Sequence, residues 1–327
     1  MLRHILNIGL VCGFILFETS LAIAQVEEVE LDSRVYDEYE TSGGESNAFG
    51  GAGASIVSKI ASIRINPAGL ATGRVYSIEA GYHKPSFGDD FYQIGIVDNK
   101  TSSVAAGFLY TDFRKSVYKR LESSDDAPVK RRFSLGLATA LNEVVAFGVG
   151  ANYTMAVSVE GLNEDGTIKY ERKKGITAVN PGVLVKIGSS VKLGLSAENL
   201  FRKSLKDYNP RFYRFGSSYL LDAGNIQFEF NLDYRGRERI LEEKLIDKSL
   251  GSLEHMVFVG TSITSYEIVK LMLSYGKAVK NDDRTSLGFG LSLKKNDSYI
   301  SVSCLYPYFN FKKQMHTSVH LSYAVVI

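Results

Sequence analysis

Between Val145 and Val159 every second residue is apolar and, Ala151 apart, large: Val145, Phe147, Val149, Ala151, Tyr153, Met155, Val157 and Val159. The residues between them (Ala146, Gly148, Gly150, Asn152, Thr154, Ala156, Ser158) are small or polar. A period of two belongs to an extended strand with two unlike faces; a helix would scatter these residues around its circumference. The same division recurs in Leu287, Phe289, Leu291 and Leu293 against Ser286, Gly288, Gly290 and Ser292, and in Val191, Leu193 and Leu195 against Lys192, Gly194 and Ser196.

Extending the pattern predicts strands near 75–84, 89–98, 102–113, 131–140, 144–160, 175–188, 191–200, 211–221, 225–235, 254–263, 267–277, 284–294, 298–307 and 316–326. That is about fourteen, the even number a single-chain bacterial barrel needs, and most are long enough to cross a bilayer at a tilt. Their connections alternate. Asp98–Lys100, Leu141–Glu143, Gly188–Ser190, Asp222–Asn225, Thr264–Tyr266 and Lys295–Asp297 are tight, whereas Arg114–Lys130, Gly161–Lys174, Gly236–Leu253 and Tyr308–Met315 are long. Short periplasmic turns against long extracellular loops are the asymmetry of outer-membrane barrels, and a soluble sandwich has no reason to keep loop length in phase with strand parity. The expected fold is all-β: a transmembrane antiparallel β-barrel of the bacterial cell outer membrane.

The averages agree once the alternation is known. A chain that is 45% hydrophobic and 23% charged, with a net charge of +2, resembles a soluble protein because lipid-facing and lumen-facing residues cancel. After position 24 no apolar run approaches the 18 to 20 residues of a membrane helix. Tryptophan is absent, but 19 Tyr and 18 Phe suffice for interfacial girdles.

The N-terminus reads in three parts. Residues 1–24 have a basic start (Arg3, His4), an apolar stretch (Ile5–Phe17) and small residues before Gln25, the layout of a cleavable export signal. Its removal leaves Cys304 as the lone thiol, so no internal disulfide forms. Residues 25–45 are acidic (Glu27, Glu28, Glu30, Asp32, Asp37, Glu38, Glu40) and read as a flexible extension that reaches a basic partner or the lumen lysines Lys192 and Lys270. Residues 46–74 carry Gly50-Gly51-Ala52-Gly53 and then Asn66-Pro67-Ala68-Gly69, glycines for close backbone approach and a proline-fixed turn. The barrel is expected to occupy 75–327.

Gly50-Gly51-Ala52 followed by Asn66-Pro67-Ala68-Gly69-Leu70-Ala71 resembles the N-terminal signature of the FadL superfamily, and within it is most similar to the PorV/PorQ-like branch. Glu198-Asn199-Leu200 at a strand end is similar to a recurring Gln-Asn-Leu element of that branch. Ser58 and Lys59 stand where the family usually carries an acidic pair, and Arg64 where it has an apolar or aromatic residue. The resemblance implies a fourteen-strand barrel with a small N-terminal hatch that includes Gly50, Gly51, Asn66, Pro67, Ala68 and Gly69. It also implies a role in type IX-like protein secretion or surface attachment, with secretion-machinery or cargo proteins as partners. The alternative it implies is a FadL-type channel for long-chain fatty acids or other hydrophobic small molecules. Inward faces rich in Gly, Ser and Ala, with scattered Lys and Glu, do not form a continuous apolar tunnel and favour the first.

Other chemistry finds little support. The glycine run lacks the spacing of a phosphate loop. His320 shares a face with Ser318 and Ser322, but polar lumen residues are expected on every such strand, so no catalytic residue, cofactor or metal is assigned and no enzyme activity is expected. Arg114, Lys115, Arg131, Arg132, Lys173, Lys174, Arg202 and Lys203 flank or fill the long loops, where they are candidates for contact with lipopolysaccharide phosphates or a partner. A balanced net charge in an exported chain argues against nucleic acid.

Overall fold

The protein is described here from a computed structural model covering residues 44–56, 59–85, 90–114, 130–162, 168–202, 210–238, 253–279, 285–308 and 318–326. The strands in chain order are β1 (Tyr76–Pro85), β2 (Asp90–Asp98), β3 (Val104–Arg114), β4 (Lys130–Ala140), β5 (Val145–Leu162), β6 (Ile168–Ile187), β7 (Val191–Glu198), the two-residue β8 (Phe201–Arg202), β9 (Phe212–Asp222), β10 (Ile226–Glu238), β11 (Leu253–Ser265), β12 (Val269–Ala278), β13 (Thr285–Lys295), β14 (Ser298–Tyr308) and β15 (Ser318–Val326). Apart from β8, each pairs antiparallel with its neighbours, and β1 pairs with both β2 and β15. The sheet therefore closes as a fourteen-strand antiparallel barrel with no free edge, the one sheet arrangement that satisfies every backbone amide in hydrocarbon. No described helix is long and apolar enough to span a membrane.

The outer surface is set by strand parity. Ile94, Leu135, Leu195, Leu232, Val259, Leu273 and Ile300 are each about half exposed, as lipid-facing side chains must be. Toward the long-loop end the outer face turns aromatic across successive strands, with Tyr82 against Tyr92, Tyr110 against Phe133 and Phe133 against Tyr153 at centroid separations of 4.9, 5.0 and 6.3 Å. Rings with an apolar body and a polar tip fit that depth.

One connection departs from expectation. Gly161–Lys174 is not a long loop: β5 and β6 run for 18 and 20 residues and stay paired as far as Leu162 and Ile168. This hairpin carries Lys169, Arg172, Lys173 and Lys174, and a ladder that outruns the bilayer needs no apolar face.

Inside the barrel lie α1 (Gly44–Ala48), α2 (Lys59–Ile65) and a 3-10 turn (Pro67–Thr72). α1 packs against β12 to β15, α2 against β2, β3, β4 and β7, and the 3-10 turn against β3 to β6. These pieces form a hatch that crosses the lumen. It enters and leaves at the short-turn end, because Glu45 meets Lys270 at the start of β12 and Asn99, beside the β2–β3 turn, donates to the Leu70 carbonyl.

Candidate functional site

The site is the hatch and the wall it packs against. Gly50, Gly51 and Gly53 adopt φ of +67°, +79° and +119°, a left-handed course that reverses the chain after α1 and that side chains resist. Asn66 holds the second bend. It caps the 3-10 turn by accepting from Ala68 N, while its Nδ2 donates to the carbonyls of Ala54 at 2.6 Å and Val183 at 3.1 Å. One side chain thus ties both halves of the hatch to β6. Pro67 follows at the first position of the turn, where no N–H is needed.

The wall makes room for this plug by omitting side chains. A Cβ on Gly95 would come within 2.6 Å of Ile60, on Gly107 within 2.9 Å of Ile63, and on Gly136 within 2.8 Å of Leu70. At Gly148, Gly182, Gly194 and Gly288 it would overlap Ala68 N, Asn66 Oδ1 and the carbonyls of Ala54 and Ala48. The inward glycines therefore form a belt that receives the hatch. This corrects the expectation drawn from small inward residues: they line a socket, so their polarity does not argue against passage of apolar solutes.

An ionic clasp holds one side. Arg64 donates from Nε and Nη2 to Glu198 Oε1 at 3.0 and 2.8 Å, and Arg214 donates to Oε2 at 2.8 Å. Glu198 is fully buried, with Arg64 and Arg214 nearly so. Arg64, unusual for the sequence signature, is thus matched by Glu198 on the wall. The clasp sits where the β6–β7 ladder stops, just past Gly182 and Ser196. The next β6 residue is Pro181, which has no N–H to give, and Val179 and Asn199 adopt φ of +74° and +59°. Asparagines close the interruption: Asn199 N donates to Asn180 Oδ1 at 2.8 Å, Asn152 Nδ2 to Asn199 Oδ1 at 3.2 Å, and Asn199 Nδ2 to Pro210 O at 2.9 Å.

Two further stretches of the contact are apolar seams. Ile60, Ile63 and Leu70 of the hatch pack with Val97, Ala105, Leu109 and Ala138 of β2 to β4. Ala48, Phe49 and Ala52 pack with Met256, Phe258, Met272 and Ala278 of β11 and β12. At the short-turn end a vestibule of about 240 Å³ is lined by charged groups, among them Glu45, Lys59, Glu79, Lys270 and Lys294. Lys270 binds Glu45 at 3.0 Å and Lys192 binds Glu229 at 3.5 Å. The segment expected to meet these lysines, 27–40, lies outside the described residues, as do the export signal, Lys115 and Lys203.

The remaining candidates scatter. Arg131 is exposed and pairs with Asp112 at 3.5 Å, whereas Arg132 points inward, is 2% exposed and donates to Thr154 Oγ1. Arg132 is therefore not a surface contact. Arg114 ends β3, Arg202 lies in β8, and Lys173 and Lys174 lie in β6. His320 faces the lumen, but neither ring nitrogen bonds a serine.

No family model matches the chain, and no curated protein is similar in sequence. Solved structures do match. The CymD monoaromatic hydrocarbon channel aligns at a TM-score of 0.59 and 13% identity, over 88% of this chain and 98% of its own. The Pseudomonas putida toluene transporter TodX (0.58, 10%) and the Ralstonia pickettii toluene transporter TbuX (0.56, 12%) align over the same shares. The chain folds as these barrels do. It is a bacterial outer-membrane protein, with short turns periplasmic and long loops outside. The three neighbours are a hydrocarbon channel and two toluene transporters.

Proposed function

We propose that this chain is an outer-membrane channel for small hydrophobic compounds, with the hatch as its gate. The observation that carries the reading is the apolar seam of Phe49, Met256, Phe258 and Met272, set between plug and wall in a barrel shared with hydrocarbon channels. A nonpolar solute entering from outside meets Met256 and Phe258 on the extracellular half of β11, where the Arg235 guanidinium lies over Phe258 and donates to Gly50 O. Beneath them it meets the dispersion contacts of Phe49 with Phe258 and Met272. The charged vestibule below then offers water on the periplasmic side. The secretion role implied by the PorV/PorQ resemblance has no feature of the described lumen residues or of these three neighbours in its favour, so the channel for hydrophobic compounds is the reading adopted.

The test is uptake across the outer membrane of a Gram-negative host without such a channel of its own, using radiolabelled toluene and oleate as separate probes. Expression should accelerate at least one probe over the empty vector, and Phe258→Gln with Met256→Gln should slow it. Vector-level uptake of both probes by a correctly inserted barrel would refute the channel.

A further inference from the structure

His83 stands on the first strand of the barrel and His320 on the last, directly opposite each other in the β1–β15 ladder that closes the sheet. Each lies two residues from the extracellular end of its strand, Pro85 and Ser318 respectively. Both face inward and are buried, at 1% and 0% exposure. Their ring centroids are 5.7 Å apart with planes at 55°. Phe91 stacks on His83 at 4.3 Å and fixes the plane of that ring without offering it a hydrogen bond.

Three of the four ring nitrogens, His83 Nδ1 and both nitrogens of His320, have no hydrogen-bond partner. Native proteins leave few buried polar atoms in that state, and two adjacent imidazoles in it call for an explanation. The absence of a side chain at Gly81, where a Cβ would come within 2.8 Å of His320 Nε2, makes the room that the His320 ring occupies.

We propose that His83 and His320 together bind one borderline divalent transition-metal ion, of the zinc, nickel or copper class, and so staple the first strand to the last. Imidazole suits these ions. Two imidazoles sharing a tetrahedral ion bind it at about 2.0–2.1 Å, which places their centroids roughly 5 Å apart. The observed separation of 5.7 Å is close to that value. Among the described residues no three His, Cys, Asp or Glu side chains converge, so water completes the coordination and the ion is exchangeable. The two ligands are separated by nearly the whole barrel in sequence, so the ion acts on closure of the sheet and stabilises the closed form by mass action.

The experiment uses untagged protein refolded in detergent, stripped with EDTA, and titrated with zinc chloride while the thermal midpoint of the folded electrophoretic band is followed. The wild type should gain several degrees. His83→Ala and His320→Ala should each lose the gain, and His255→Ala should keep it. No gain in the wild type, or an equal gain in both single variants, overturns the proposal. If the variants do not fold, copper bound to the wild type decides: its spin-resonance spectrum should carry splitting from two equivalent nitrogens, and the absence of that pattern overturns the staple.

Discussion

Glu198 is the residue on which retention of the hatch should depend most. Its two oxygens accept from Arg64 twice and from Arg214 once, at 2.8 to 3.0 Å, and all three side chains are removed from solvent. Glu198→Gln keeps the shape and removes the charge, leaving two buried guanidinium groups without their carboxylate. Removing one partner of a buried ion pair costs roughly 3–5 kcal/mol. Arg64→Met is milder, because Glu198 keeps Arg214; losing charge-assisted bonds and packing there should cost about 2–3 kcal/mol. The two changes act on one contact, so the double variant should fall short of the sum by about 1–3 kcal/mol. Urea titration of folding into detergent gives the energies, and planar-bilayer conductance gives the occlusion. Both variants should leak more ions than the wild type, Glu198→Gln the more. An additive cycle, or a Glu198→Gln protein within about 0.5 kcal/mol of the wild type, the usual scatter of a surface substitution, would show that the clasp does not hold the hatch.

Three further outcomes follow from the same geometry. Gly194→Ala and Gly288→Ala drive a Cβ into the carbonyls of Ala54 and Ala48; each should cost about 1–3 kcal/mol by overpacking and raise conductance, whereas Gly73→Ala, whose nearest atom is 3.9 Å away, should do neither. Asn66→Ala removes the cap and the donor to Ala54 and Val183, an expected loss of about 2–3 kcal/mol by urea titration. The Lys270 ammonium, working against burial, holds the Glu45 carboxyl below its ordinary value of 4.5. A depressed folded pKa contributes stability that is present above the unfolded value and lost as pH falls through the folded one. Conductance should therefore stay low from neutral pH through 4.5 and rise only below it, and Lys270→Met should move that rise to higher pH.

The fourteen strands were legible because lipid on one side and a small-residue lumen on the other impose period two on nearly every one. The turn-and-loop alternation was legible for the same reason: short turns such as Leu141–Glu143 are spelled locally. The hairpin beyond Gly161 was not, because a ladder standing clear of the bilayer loses its apolar face, and its run of Lys and Arg then reads as loop. Arg131 and Arg132 were grouped as neighbours in sequence, although strand parity already separates them: Arg132 shares its phase with Ser134 and Gly136, both inward. The clasp could not be read at all. Arg64 stood out as a departure and Glu198 as part of a strand-end motif, but 134 residues separate them, and only the route of the hatch brings them together.

That route gives the hatch two unlike sides. Against β7 and β9 the hatch is held by charge, and charge buried this deeply tolerates no partial separation: a guanidinium drawn from its carboxylate is left buried without its counter-charge. Against β2 to β4, and where Phe49 and Ala52 meet Met256, Phe258 and Met272, it is packed by apolar contacts, which fail a little at a time and can be replaced, atom for atom, by a nonpolar guest. On the β12 side Lys270 to Glu45 and Ser274 Oγ to Ala48 O add polar ties. The glycine belt forbids the alternative of a piston, since sliding the plug along the axis would carry its backbone past wall positions that do bear side chains. A hatch tied to the wall by polar contacts at several points and unable to translate yields first along its apolar seams. On the channel reading, the seam at Phe49 and Phe258 is therefore where selectivity for a hydrophobic solute over water and ions arises.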